Sequence, residues 1–230
     1  MGDRLRVMSA NLWWGRADPD ALVATLRHLE IDAIGCQELG FEQAEAIAEV
    51  LPHGLLAPSA GADGTGIALR SPAAFESVAM PYRDLRVARL APADWPGLPG
   101  PLELASVHVA APHIRPYGVG PLRRRAQMRA LERYLRERPA ERRVLVGDFN
   151  ATPVWPVYRR MASHLTDAAV AVAQTEGRAP RPTWGPWAGS PRLLRIDHAF
   201  VGGLAPVAFR TVPIPGSDHD AIVIELSLSL

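Results

Sequence analysis

Lysine is missing from this 230-residue chain: its 25 lysine-plus-arginine positions are all arginine. No Schiff-base lysine and no phosphate-loop lysine can therefore take part in its chemistry. Cys36 is the only cysteine, which excludes an internal disulfide and a cysteine-built metal site. No apolar run approaches the ~18 residues of a membrane span. The start, Met1-Gly2-Asp3-Arg4, shows no leader peptide, so a cytoplasmic protein is the expectation. A charge excess is missing too: the formal net charge is +1, and no global basic field argues for nucleic acid.

What remains is an ordinary globular composition, 48% hydrophobic and 21% charged, with mean hydropathy near zero. The chain is long enough to bury a sizeable core. With no internal repeat, low-complexity tract or linker, one domain over residues 1–230 is expected.

Residues 5–12 (LRVMSANL) read as a strand with Asn11 near its end. Asp18-Pro19-Asp20 is a helix start, a capping acid followed by proline and a second acid. Residues 32–38 (DAIGCQE) return as a strand ending in Glu38, and 41–51 form a second helix. A turn-rich loop at 61–66 precedes a strand at 67–70. Weaker strands are expected at 77–80 and 86–90, and a clear one at 102–109 (LELASVHV) carrying His108. A Pro/Gly-rich loop covers 110–121. The helix expected over 121–138 has Leu122, Ala126, Ala130, Leu131 and Leu135 on its apolar side. Its Arg123-Arg124-Arg125 run reads as a solvated face. A short helix at 157–162 precedes a long irregular section containing Trp184 and Trp187. Strands follow at 194–201 (LRIDHAFV), 207–212 and 221–228. Interspersed strands and helices, with a strand-rich final third, indicate sheets faced by helices.

The segment the chain is organised around is Val144-Leu145-Val146-Gly147-Asp148-Phe149-Asn150. An apolar strand is stopped by Gly147 and by turn-formers. Strand alternation puts Asp148 and Asn150 on one face. Taken alone, this also reads as an Asx-rich turn. Yet Asn11, Glu38, His108, Asp197, and Asp218 with His219 also fall at or just beyond strand ends. Each has a plain reading of its own, such as a turn cap, a surface charge or a core histidine. Asp197, flanked by apolar residues, wants a partner, because acids are seldom buried unpaired. A histidine is the usual one. Carboxylate and amide oxygens without cysteine suit a hard cation, Mg²⁺, Mn²⁺ or Ca²⁺. Such a cation with an Asp–His pair suits attack of water on a phosphate ester.

Ser9-Ala10-Asn11-Leu12, Gln37-Glu38-Leu39, Gly147-Asp148-Phe149-Asn150, Arg195-Ile196-Asp197-His198 and Gly216-Ser217-Asp218-His219 follow the order found in the endonuclease/exonuclease/phosphatase superfamily. The chain resembles that family from residue 5 to the closing strand. The resemblance implies a deoxyribonuclease I-like fold: a four-layer α/β/β/α sandwich, two mixed sheets face to face with helices outside. It implies Glu38 as principal metal ligand, supported by Asn11, with Asp218 as a secondary ligand. Asp148 would align or deprotonate the attacking water, Asn150 would contact phosphate, and Asp197 would orient His219. His219 would act on the scissile phosphate as base or as charged stabiliser. His108 resembles a second phosphate-side histidine of the deoxyribonuclease and sphingomyelinase branches.

The expected activity is divalent-metal-dependent phosphodiester hydrolysis, with DNA or RNA as the leading substrate and low sequence preference. A phospholipid, sphingomyelin or phosphoinositide head group is the alternative, and a non-catalytic binding module on the same fold is a third reading. No stable protein partner is inferred. Leu39 and Gly40 depart from the apurinic-site endonucleases, which carry threonine or isoleucine and then lysine there. Arg115 and Tyr117 are candidate substrate-binding residues in the 110–121 loop, which also reads as a plain surface loop. Trp13 and Trp14 either rim the cleft or pack between sheet and helix; packing is the expectation for at least one.

Overall fold

The computed structural model describes residues 4–112 and 119–228. Two six-stranded mixed sheets lie face to face. The first contains β1 (Arg4–Asn11), β2 (Ala33–Gln37), β3 (His53–Ala57), β4 (Thr65–Leu69), β11 (Ala205–Pro213) and β12 (Asp220–Ser227), in the order β11-β12-β1-β2-β4-β3. The second contains β5 (Ala74–Val78), β6 (Leu85–Leu90), β7 (Leu102–His108), β8 (Arg143–Asp148), β9 (Thr166–Asp167) and β10 (Asp197–Gly202), in the order β5-β6-β7-β8-β10-β9.

Three apolar layers account for the sandwich. Between the sheets, Val7, Ile67, Ile222 and Ile224 meet Leu104, Val144, Val146 and Val201. Outside the first sheet, α1 (Pro19–His28) and α2 (Phe41–Val50) lay Leu22, Leu26 and Ile47 on Met8, Ile34 and Val223. Outside the second, α3 (Val119–Glu137) and α4 (Pro156–Ala162) lay Met128, Leu131, Tyr158 and Met161 on Val107, Leu145 and Phe200. Central strands are covered on both faces, so β2, β4, β7 and β8 are buried along their whole length. That is why they read as apolar runs rather than alternating ones. No helix among the described residues is long and apolar enough to cross a membrane.

The fold departs from the sequence reading in instructive places. The 53–57 strand was not anticipated. Neither was α5 (Ala168–Glu176), which lies in the expected irregular section. Asp167 caps α5, accepting from the N–H groups of Ala169 and Val170, and Gly177 ends it at φ +65°. On α3 the buried face is rotated. Leu122 is 65% exposed while Arg124 and Gln127 are buried. The arginine run is therefore not wholly a solvated face. These polar side chains are drawn inward because the backbone at the end of β7 needs hydrogen-bond partners.

Gly147 does not stop its strand; β8 runs through it to Asp148. It adopts φ +150°, and a Cβ there would stand 1.9 Å from the Val107 carbonyl oxygen. Gly35 allows the two sheets to close on each other, since a Cβ there would lie 2.8 Å from Ser106 Cβ and 2.9 Å from Val146 Cγ2. A buried polar chain crosses at the same level. Ser9 Oγ donates to Gln37 Oε1 (3.3 Å), and Gln37 Nε2 donates to Ser106 Oγ (3.0 Å). Gly147→Ala should destabilise the protein by more than about 3 kcal/mol, read as a lower urea midpoint. A loss under about 1 kcal/mol would show that the backbone relaxes at no real expense.

Candidate active site

Strand polarity gathers the polar residues. β1 and β2 are parallel, as are β7 and β8, so Asn11, Gln37, His108 and Asp148 terminate at one end of the sandwich. β10 and β12 run the opposite way, which brings their first residues to that same end; Asp197 pairs directly with Asp148. The loop after β11 carries Asp218 and His219 to the same place.

The geometry there is a buried acid–base cluster. His219 Nδ1 lies 2.8 Å from Asp197 Oδ2. One ligand-type atom from each of Asp148, Asp197 and His219 falls within 4.8 Å of the others. Burial alone would lower the His219 pKa, but Asp197, with Asp148 and Asp218 behind it, raises it to about 10. Burial, with repulsion from Asp197, raises Asp148 to about 7. Burial, helped by the positive charges of Arg83 and His219, pushes His108 well below its ordinary range. The site thus holds a cationic His219, a neutral His108 and a carboxylate poised near neutrality.

Asn150 reaches Asp148 by a route other than strand alternation. β8 has ended, and Asn150 turns into the left-handed region at φ +48°. Its N–H donates to Asp148 Oδ1 (2.7 Å), and its Nδ2 donates to Asp148 Oδ2 (2.9 Å) and to the Val109 carbonyl (3.0 Å). Asn11 Nδ2 donates to Asp148 Oδ2 (3.1 Å) and to Glu38 Oε1 (3.4 Å), while its Oδ1 accepts from the Trp13 N–H (3.0 Å). Asn11 therefore orders two carboxylates through its amino group. Its oxygen faces the backbone.

Glu38 lies just past β2 at φ +53°. Burial raises its pKa, opposed by His219. Burial raises Asp218 as well. Asp218 Oδ2 accepts from Trp184 Nε1 (3.2 Å), while Oδ1 is buried, 4.0 Å from His219 Nε2, with no hydrogen-bond partner among the described residues. An orphaned carboxylate oxygen and a desolvated glutamate, both hard oxygen donors, fit a divalent cation such as Mg²⁺ or Mn²⁺. The Asp148–Asp197–His219 trio fits one less well, because its imidazolium already neutralises the acids.

Several residues that position this cluster had not been picked out from the sequence. Gln127 Nε2 donates to the His108 carbonyl (2.7 Å) and its Oε1 accepts from the Ala110 N–H (2.9 Å). Arg124 Nη1 donates to the Ala110 carbonyl. Thr183 Oγ1 accepts from the N–H groups of Ile196 and Asp197, both at 3.2 Å. Ser217 Oγ donates to the Asn11 carbonyl (2.8 Å) and accepts from the His219 N–H (3.0 Å). Behind Asp197, His198 is buried between Arg195 Nη1 (3.1 Å from Nδ1) and the Ala151 carbonyl (2.7 Å from Nε2). Burial, with the positive charge of Arg195, lowers His198 to about 4, so it is neutral and its Nε2–H donates to Ala151.

The cluster opens into a cleft of about 350 Å³ lined by Trp13, Trp14, Tyr82, Arg83, Trp155 and Trp184. Both Trp13 and Trp14 belong to this rim, contrary to the packing expectation, and Arg16 lies over their rings at 4.6 and 5.1 Å. Arg115 and Tyr117 lie outside the described residues.

The ion pair has a pH signature. The folded-state value of His219 stands above its ordinary ~6.5, so the pair stabilises the metal-free protein fully below pH ~6.5. That contribution is lost as the pH rises through about 10. In an Asp197→Asn variant, the His219 ring titration followed by NMR should fall by more than about one unit, and the alkaline loss of stability should shrink. An unchanged midpoint would remove Asp197 as the cause.

The family model for the Endonuclease/Exonuclease/phosphatase family matches residues 8–219. None of the curated proteins matches the chain. Among solved structures, a humanized D. rerio TDP2 carrying 14 mutations is 18% identical, with TM-score 0.73 over 98% of this chain and 99% of that one. An endonuclease/exonuclease/phosphatase from Beutenbergia cavernae is 22% identical, with TM-score 0.71 over 98% and 72%. A mannosyl-6-phosphatase from Bacteroides thetaiotaomicron is 18% identical, with TM-score 0.70 over 96% and 99%. At these identities the solved structures speak for the fold, and the match over most of the chain speaks for descent: the protein belongs to the Endonuclease/Exonuclease/phosphatase family and is a phosphoric ester hydrolase.

Proposed function

We propose that the protein is a divalent-metal-dependent phosphodiesterase in which water attacks phosphorus in line with the leaving oxygen. The single observation that carries this reading is the buried cluster itself: ligand-type atoms of Asp148, Asp197 and His219 lie within 4.8 Å of one another, with His219 Nδ1 2.8 Å from Asp197 Oδ2, and these surroundings raise Asp148 to about 7 and His219 to about 10. A carboxylate with that value is suited to accept a proton from water at neutral pH. An imidazolium with that value is suited to donate a hydrogen bond to a phosphoryl oxygen as negative charge grows. The division of labour makes Asp148 the base and His219 the charged stabiliser, with Asp197 holding the ring.

Glu38 and Asp218 would hold the cation, with Asn11 ordering Glu38. The ion, Mg²⁺ or Mn²⁺, would supply charge neutralisation at the phosphoryl and leaving oxygens. Asn150 keeps Asp148 in place and is close enough to the cluster to contact phosphate.

For the substrate, the aromatic rim supports a nucleic acid of little sequence preference, because tryptophan faces stack on any base. A second reading rests on exposure at the same mouth. Trp14 is 50%, Leu194 43% and Trp155 38% exposed, and these side chains could also meet lipid around a phosphorylated head group. The neighbour named mannosyl-6-phosphatase adds sugar phosphates to the compounds worth assaying.

Plasmid DNA, RNA, lipid vesicles and sugar phosphates should be offered in parallel with Mg²⁺ and Mn²⁺. Metal-dependent turnover of at least one ester is expected, abolished by chelator and reduced about 10²–10⁴-fold in Asp148→Asn and in His219→Gln. Absence of metal-dependent turnover on every ester would overturn the reading.

A further inference from the structure

A net charge of +1 hides a segregation. The helices outside the second sheet, α3 and α4, carry eight arginines against two acids. Those outside the first, α1 and α2, carry four acids against one arginine. The two outer faces of the sandwich therefore bear opposite charge. Such a separation turns an approaching polyanion toward one face.

On α3 the arginines form a stripe. Arg125, Arg129, Arg133 and Arg136 recur at helical spacing, and all four are exposed. They face away from the side that buries Gln127, Met128, Leu131 and Leu135. At 1.5 Å per residue the stripe is about 16 Å long. Arg160 on α4 joins its flank, with Nη1 3.5 Å from Glu132 Oε2. Glu137, the other acid of α3, lies 3.8 Å from Arg136, and both side chains are well exposed, so that pair is weak. Among the described residues Arg125, Arg129 and Arg133 have no acidic partner.

This pattern works against the helix that carries it. Arginines four apart repel each other. The first turn, where an acid would complement the helix dipole, holds none. A repulsive row that gives the fold nothing points to an anion outside the chain. Lipid is the poorer match, because the apolar side of α3 is already spent on the second sheet. Leu122 is the one strongly exposed large apolar residue on the described part of α3, which leaves little to bury in a bilayer.

The stripe also leads out of the cleft. α3 joins the parallel strands β7 and β8, so it starts at the cleft end of the sandwich and runs back along the sheet. Gly120 lies against Pro112, and Arg123 stands over the Tyr82 ring at 5.2 Å; Pro112 and Tyr82 both line the cleft. α4 begins beside Trp155, another lining residue.

We propose that the outer face of α3 and α4 is a backbone track for a nucleic-acid strand whose scissile phosphate sits in the cleft, with Arg125, Arg129, Arg133 and Arg136 taking phosphates beyond it. At a strand rise of about 3.4 Å per nucleotide the stripe covers about five phosphates. Contacts of this kind position a strand and read no bases. The place of the scissile phosphate rests on the phosphodiesterase reading above, but binding along the stripe does not.

The test is fluorescence anisotropy of the full chain with a labelled single strand of about 20 nucleotides, in chelator so that nothing is cut, over a salt series. The double variant Arg129→Gln/Arg133→Gln should bind about tenfold more weakly, and the slope of log affinity against log salt should flatten by about 1.4. The control Arg27→Gln/Arg181→Gln removes the same charge from exposed positions elsewhere and should cost less than about twofold. With Mg²⁺, the stripe variant should raise KM for the strand and leave turnover of bis(p-nitrophenyl) phosphate, too small to reach the stripe, at the wild-type level. A wild-type chain with no affinity for the strand, an unchanged slope in the stripe variant, or an equal loss in the control would overturn the proposal. So would stripe-dependent binding of phosphatidylserine vesicles with strand affinity intact, which would make the partner a membrane. A strand that binds through the stripe yet survives every metal would sink the nuclease reading and leave the track standing.

Discussion

Two of the hydrogen bonds that cross the seam between the sheets join the acids, amides and imidazole of the site. Asn11 at the end of β1 reaches Asp148 at the end of β8 (3.1 Å), and His219, just ahead of β12, reaches Asp197 at the start of β10 (2.8 Å). Each joins a residue of the first sheet to one of the second. They form only because the sheets approach closely, which Gly35 permits from one side. They align only because parallel and antiparallel strands present the appropriate ends together. The site is therefore a property of the seam and belongs to neither sheet alone.

This arrangement sets up an electrostatic conflict. Asp148, Asp197 and His219 are all at most 5% exposed, and acids so close together resist ionising at once. The fold answers with neutral donors as well as charge. The Asn150 backbone and side chain and the Asn11 amide converge on Asp148, while Thr183 accepts from the Asp197 N–H. The conflict is not removed: Asp148 remains near 7. A site tuned to move protons is held at some expense of stability, as is common where function needs a strained group. Glu38, Trp13, Trp14, Tyr82 and Asn150, all non-glycine residues at positive φ, cluster around the same cleft and repeat the pattern in the backbone.

Support for the site comes from residues with no catalytic look to them. Gln127 and Arg124, on α3, serve the carbonyls and N–H at the end of β7, and so hold His108. Trp184 serves Asp218 through its indole N–H. His198 ties the strand carrying Asp197 to the turn after Asn150, packed against Phe149 and Tyr158. The positioning layer is thus built from the second half of the chain and from the helix covering the second sheet.

Local pattern was enough for much of this. The capping acid and proline before α1, the buried apolar strands β1, β7, β8 and β12, and the polar residues at their ends were legible, because hydrophobic periodicity and turn chemistry are local properties. The ordered motifs around Asn11, Glu38, Asp148, Asp197 and His219 were legible through their resemblance to the family to which the chain belongs. Where the reading failed, a distant partner decided. The Ala and Val run of 168–173 carries no helical period, and α5 forms because Ala168, Ala169 and Val172 fill the space between the sheets. The polar face of α3 turned inward because strand-end carbonyls required it. Arg83, in a segment of weak periodicity, became a cleft residue only through the pairing of β6 with β7. The amino-acid sequence by itself determined which residue types stand at the strand ends. The tertiary structure alone decided that those ends meet and which groups are charged there, since burial and distance arise only when the sheets close on each other.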